Sequence, residues 1–302
     1  MTKKLIYLSF VAALLVAQTG PMTFSSPQEA RDALIQAAAT SSDAVLKIFG
    51  PGAAEIVRTG DSVQDKNVVA RFNTLAAEKA EIETDPMNPD RASLVIGLIE
   101  WPFAVPIVRK NGRWYFDVQE GKAEIRRRTI GGNELDAIDI CRGYVEAQKL
   151  YAERDWSGTN LPQYARKIIS SEGKKDGLYW PGDDSPVAAG FAKAVAEGYS
   201  RTTDTRTPYH GYFFKVLLKQ GAAAPGGAQD YIIGGAMIGG FALVAWPAAY
   251  GVSGIKTFIV NHDGIVYEKD LGSQTGALGK AMTAFNPDQS WDVSPEVTWP
   301  ET

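Results

Sequence analysis

Twice along this chain of 302 residues the hydrophobic period changes from that of a helix to that of a strand, each time in that order. In the first passage, "SSPQEARDALIQAAAT" places Ser26 to cap a helix, Pro27 at its first position and Glu29 three residues after the cap. Ala30, Ala33, Leu34 and Ala37 then share a face. Val45, Leu46 and Ile48 predict a second short helix ended by Gly50-Pro51-Gly52, and "VQDKNVVARFNTLAAEK" predicts another. The period then shortens: "RASLVIGLIEWPFAVPIVRKNGRWYFDVQEG" holds two β-rich runs. Asn111-Gly112 between them signals a hairpin, and Pro102 and Pro106 an edge or bulge.

The second passage opens at "GGNELDAIDICRGYVEAQKLYAERD". Gly131-Gly132 is expected to break the chain, Asn133 to cap, and Asp136 to suit the first turn of a long helix. Leu135, Ile138, Cys141, Val145 and Ala152 recur at helical spacing, which puts the single cysteine on a buried stripe. A loop-rich stretch follows, with a short helix expected over "PVAAGFAKAVAEG". Then "HGYFFKVLLKQG", "AQDYIIGG", "GGFALVAWPAAYG" and "GIKTFIVNHDGIVYEKDL" alternate as antiparallel strands. The fold class is therefore α+β, with two domains, each of helices packed on an antiparallel sheet. The expected bounds are 24–130 and 131–292, with a leader over 1–22 and a flexible tail over 293–302.

That leader, "MTKKLIYLSFVAALLVAQTG", has two lysines, an apolar run from Leu5 to Ala17, and small or polar residues after it, as a secretory signal does. The run is shorter than the ~20 residues of a spanning helix. Cleavage is expected between about Ala17 and Thr23, with an uncleaved anchor as the alternative. An exported protein, periplasmic or extracellular, follows, with no stable membrane span after cleavage. One cysteine allows no internal disulfide, so the core must suffice. The net charge of -4 argues against nucleic acid, and the Arg126–Arg128 run reads as a solvated face.

Candidate chemistry is sparse. "VNHDG", with His262, reads as a hairpin loop: Gly264 supplies a positive φ and Asp263 bonds the local backbone. His210, the other histidine, opens a strand. The two could share a metal only if they met across the sheet, with Asp176, Asp183, Asp184 or Asp263 completing the set, and no ligand spacing supports that. "GVSGI" misses the nucleophile elbow by one position, and the glycine-rich "PGGAQDYIIGGAMIGGF" lacks the phosphate-loop lysine. No catalytic residue, metal ligand or cofactor is assigned. What stands out is aromatic: Trp180, Tyr209, Trp246 and Tyr250 lie beside Gly or Pro in loop-like context, with Tyr179 next to Trp180, where such rings can present an apolar face with a polar handle. With His210 they form the candidate binding surface.

The strings "DGLYWP", "PYHGYFF", "GGFALVAWPAAYG" and "TFIVNHDGIVYEKDLG", with "EWPFAVPIV" and "GGNELDAIDICRGYVEAQ" earlier, closely resemble a family of exported bacterial proteins catalogued as a domain of unknown function (twenty-nine fifty). The resemblance runs from about Phe24 to Trp291 and implies no catalytic residue. The second half is also similar to the globular part of type IV pilins and pseudopilins, without their N-terminal assembly helix in its place. The first half looks like a cystatin-like or NTF2-like unit. The expected function is a ligand- or protein-binding module of the bacterial envelope, its partner an envelope protein or a small ligand. The alternatives are a hydrolytic or metal-assisted enzyme using the two histidines, and a purely structural envelope protein.

Overall fold

The first helix, α1 (Pro27–Thr40), starts where its capping residues require: the Ser26 hydroxyl accepts from the Glu29 N–H at 3.1 Å, and Pro27 opens the helix. Ser41 caps α2 (Ser42–Phe49) in the same way, and Gly50, at φ +81°, ends it. A computed structural model describes residues 20–58, 62–156, 158, 160–182, 184–186 and 208–295. The chain divides into two units, Met1–Ile125 and Arg126–Thr302.

In the first unit, α3 (Ala54–Val57) and α4 (Ser62–Glu78) follow, then β1 (Ala80–Thr84), β2 (Arg91–Ile96), β3 (Trp101–Pro102), β4 (Ile107–Lys110) and β5 (Arg113–Phe116). The sheet is antiparallel in the order β1-β2-β4-β5, with the two-residue β3 also paired to β2. Asn111 and Gly112 both take positive φ, 54° and 74°, in the hairpin between β4 and β5, as the Asn-Gly pair predicts. Leu34 and Phe49 from the helices share one core with Leu94, Ile107 and Phe116 from the strands. Within it Phe116 packs edge-on against Phe24, Phe49 and Phe103. Each such ring withdrawn from water contributes on the order of 2 kcal/mol. The fold takes up the chain at Met22, whose N–H bonds Ile48 O at 3.0 Å, while residues 1–19 of the expected leader lie outside the described residues.

The sequence expectation fails at Gly131-Gly132. Both lie inside one 35-residue helix, α5 (Val118–Ala152). Its N-cap is Asp117, whose carboxylate accepts from the N–H groups of Gln119 and Glu120, each at 3.1 Å. Arg91 on β2 holds Glu120 by two bonds of 2.5 and 2.6 Å. Two interior glycines cost roughly 1 kcal/mol each relative to alanine, and the stripe buried beyond them outweighs that: Ala137, Ile138, Cys141, Tyr144 and Val145 are all in the core. Asn133 caps nothing. Its amide donates to Ser253 O at 2.8 Å, and next to it Glu134 accepts from the N–H groups of Ile255 and Lys256. The arginines of the 126–128 run stand within this helix.

The second unit continues with β6 (Tyr212–Leu217), β7 (Lys219–Gln220), β8 (Gln229–Asp230), β9 (Ile232–Ile233), β10 (Ala236–Met237), β11 (Ala242–Pro247), β12 (Lys256–Asn261), β13 (Val266–Asp270), α6 (Thr275–Ala281) and β14 (Asp292–Val293). Its main sheet is antiparallel in the order β14-β13-β12-β11-β6, and β7-β8 and β9-β10 are separate two-stranded ribbons. α+β is thus the class of both units. Tyr144 of α5 donates to Ala242 O and sets its ring edge against Phe241. Cys141 is fully buried, and desolvation pushes its thiol up to about 12, so it is a packed side chain and not a nucleophile. Among the described residues no helix is long and apolar enough to cross a membrane.

The expected tail begins inside the sheet: Val293 pairs with Tyr267, and Ser294 N–H bonds Val266 O at 2.9 Å. Residues 296–302 lie outside the described residues, as does the helix expected over "PVAAGFAKAVAEG" beyond Pro186.

Candidate functional site

Near the C-terminal end of α5, Gln148 is fully buried and uses its whole amide. It donates to Ala165 O at 2.8 Å and to the Tyr144 hydroxyl at 2.9 Å, and accepts from Ala165 N–H at 2.8 Å. The residue before, Tyr164, donates its N–H to Met237 O at 2.8 Å. One strip of otherwise irregular chain is thereby fixed between a helix and a hairpin. It then loops round and comes alongside itself in parallel: Tyr179 N–H bonds Ile168 O and Ser170 N–H bonds Tyr179 O, a bridge between Ile169 and Tyr179. The loop contains a turn closed by Lys174 N–H on Ser171 O, with Gly173 at φ +71°. Asp176 pins it, accepting from Ser171 N–H at 2.7 Å and Ser171 Oγ at 3.0 Å.

This looped segment and the end of α5 enclose a cavity of about 740 Å³. Four cations line it, Arg166, Lys167, Lys174 and Lys175, against one carboxylate, Asp176. Tyr151 and Trp156 form part of its wall. Lys167 is neutralised by Asp176 at 2.7 Å, and Lys175 pairs with Asp184. Lys175 also lies over two indoles, 4.7 Å from the Trp156 ring centre and 5.1 Å from that of Trp180. Arg166 and Lys174 form no ion pair among the described residues and leave the site with unneutralised positive charge.

The electrostatics follow from those neighbours. Partial burial works against the Asp176 charge, but the Lys167 ammonium and the two Ser171 donors outweigh it and hold the carboxyl down at about 2. Burial, then the charges of Asp176 and Asp155, push the Tyr151 phenol up to about 12, so it stays a neutral donor, bonded to Lys175 O at 2.7 Å. Asp184 is held below the usual carboxylate range by Lys175 and by the Trp180 indole N–H at 2.7 Å.

The aromatic residues singled out by their Gly and Pro neighbours do not gather here. Trp180 comes nearest: 4% exposed, it packs edge-on against Trp156 at 4.9 Å, behind the cavity wall. Tyr179 forms the isolated parallel bridge to Ile169 and is partly buried against the core. Trp246, expected on a loop, is a buried residue of β11, pressed against α6 where Gly279 leaves no room for a side chain. Tyr250 is at a surface turn with its hydroxyl on Asp270. Tyr209 and Tyr212 exchange both backbone bonds around His210-Gly211, a two-residue turn in which both central φ values are positive, 42° and 73°. His210 pairs there with Asp136 and stacks on Tyr209. Asp136 and Tyr151 are fifteen positions apart on one helix, about 22 Å along its axis, so this turn and the cavity are separate places.

The two-histidine metal reading is overturned by register. Tyr212, two residues after His210, faces Pro247, while Asn261, beside His262, faces Ala242, which in turn faces Leu217. The two imidazoles therefore mark opposite ends of β6 and β11, separated by roughly 17 Å of strand, beyond any shared ion. Among the described residues no group of three or more His, Cys, Asp or Glu could hold a metal. "VNHDG" is a turn, as its residue types predict, with Gly264 at φ +82°. The backbone bond expected of Asp263 is made by Asn261, whose amide oxygen accepts from Asp263 N–H at 3.2 Å, while its amide nitrogen donates to the Asp263 carboxylate at 3.0 Å.

Of the residues that line the cavity only Asp176 stands among the sequence candidates, as a metal-ligand option; "YARK" and "GKKDG" are otherwise unremarkable surface strings. The usable signal was two basic pairs flanking one turn, next to a tryptophan. A family model described as Protein of unknown function (DUF2950) matches residues 21–293. Searches of curated proteins and of solved structures return no match.

Proposed function

The chain belongs to that family, and from this premise, which assigns no reaction, we propose that it is an exported binding module of the bacterial envelope whose ligand occupies the cavity at the end of α5. One observation carries the reading. A cavity of about 740 Å³ falls within the ~300–1,000 Å³ of small-molecule sites and combines aromatic wall with a few fixed polar groups. The leader's basic and apolar regions support export. A long helix followed by an antiparallel sheet supports the pilin-like comparison for the second unit, which then serves as scaffold. The helices and sheet of the first unit support the cystatin-like or NTF2-like comparison at the level of class alone.

The test is a titration of the full chain, labelled with ¹⁵N, with neutral sugars, aromatic acids and phosphate esters. The readout is the Trp156 indole N–H, which donates to Tyr151 O at 3.1 Å and is assigned by its loss in Trp156→Phe. At least one class should move that resonance, and a cavity-filling Lys174→Trp should abolish the response. Resonances that never move at Trp156, or that move equally in the filled variant, remove the reading.

A further inference from the structure

Resting on the reading of this cavity as a ligand site, we propose that its ligand is a small organic polyanion, bearing two or more phosphate or carboxylate groups, held between Arg166 and Lys174. The charge pattern is specific. Two of the four lining cations have their counter-charge within the protein, Lys167 on Asp176 and Lys175 on Asp184. Those pairs hold the segment in place and need nothing from outside.

The other two, Arg166 and Lys174, form no ion pair among the described residues, and both line the cavity, Arg166 ahead of the loop and Lys174 at the close of its turn. Two unneutralised cations on one cavity lining match a ligand with two anionic groups better than one with a single charge. Their types differ usefully: a guanidinium offers a planar fork to a carboxylate or phosphate, and an ammonium a mobile point charge.

The remaining wall strengthens that attraction. Trp156 and Tyr151 exclude water from one side, and charge interactions grow as the local dielectric falls. Lys175, paired with Asp184 and lying over two indoles, holds that aromatic wall in place. The lining carboxylate does not compete for the ligand's positive counter-ions: both Asp176 oxygens are engaged by Lys167 and Ser171. The geometry thus selects against cations and gives neutral ligands no charge to match.

The experiment is calorimetric titration of the full chain with citrate, with inorganic pyrophosphate and with neutral maltotriose, repeated in Arg166→Gln, Lys174→Gln and the double variant. Both positions are exposed and form no ion pair among the described residues, so unchanged melting temperatures are the expected control. Citrate or pyrophosphate should bind, weaken about tenfold with each lost cation, and weaken as salt is raised. The preferred anion tells a carboxylate ligand from a phosphate ligand. If the double variant binds both anions as well as the wild type does, the proposal is overturned. Maltotriose binding that moves the Trp156 indole, with no response to either anion, overturns the polyanion and keeps the cavity as a site. No response at Trp156 to any of the three overturns both.

Discussion

Gln148 and Ala165 exchange two hydrogen bonds of 2.8 Å, one in each direction, so that a side-chain amide on α5 does for Ala165 what a neighbouring strand would do. This pair fixes the wall of the cavity. It is also the simplest place to test the fold that makes the site.

Replacing Gln148 with Leu keeps the volume and leaves the N–H and C=O of Ala165 without partners in a buried setting. At about 1–3 kcal/mol for each orphaned group, the expected loss is about 2–6 kcal/mol. A urea transition should shift to a lower midpoint with the slope unchanged. A midpoint that does not move would mean that the two bonds contribute nothing to the fold.

The glycines of α5 should divide by their surroundings. At Gly131 and Gly132 a Cβ would meet nothing within 4 Å, so alanine at either should raise stability by about 1 kcal/mol. At Gly121 a Cβ would stand 2.7 Å from Val105 Cγ2 and 3.1 Å from Val105 Cα, so the same change should lower stability. Thermal melts of the three variants decide the matter. Destabilisation by Gly131→Ala would restore the chain break that the Gly-Gly pair suggests.

Acid should weaken the turn that Asp176 pins. Its folded pKa of about 2 lies below the ordinary 3.8. A depressed carboxyl contributes stability fully above its unfolded pKa and loses it as pH falls through the folded value. The Asp176→Asn variant should therefore be less stable than wild type near neutral pH, with the deficit shrinking between about pH 4 and pH 2. A deficit constant across that window would assign the effect to packing and not to charge.

Much of the architecture was legible because it rests on short-range chemistry. Ser26, Pro27 and Glu29 start α1, and Asn111-Gly112 turns β4 into β5, through groups a few bonds apart. Gly131-Gly132 misled for the opposite reason. The local cost of two glycines can be read from the sequence, but the burial of Ile138, Cys141 and Tyr144 that outweighs it belongs to the core. Trp180 and Trp246 misled likewise: Gly and Pro neighbours suggested loops, while their rings are 4% and 3% exposed. Of the candidate surface, only Trp180 packs against the wall of the cavity, against Trp156.

By itself, then, the sequence determined the helical and β passages, their order, the principal turns and the α+β class, because periodicity and capping are properties of neighbouring residues. Tertiary structure alone decided that the two histidines stand at opposite ends of a sheet, and that Arg166 and Lys174 face one cavity. Both depend on register and on bonds such as Gln148 to Ala165, which join positions seventeen residues apart and leave no periodic trace in the chain.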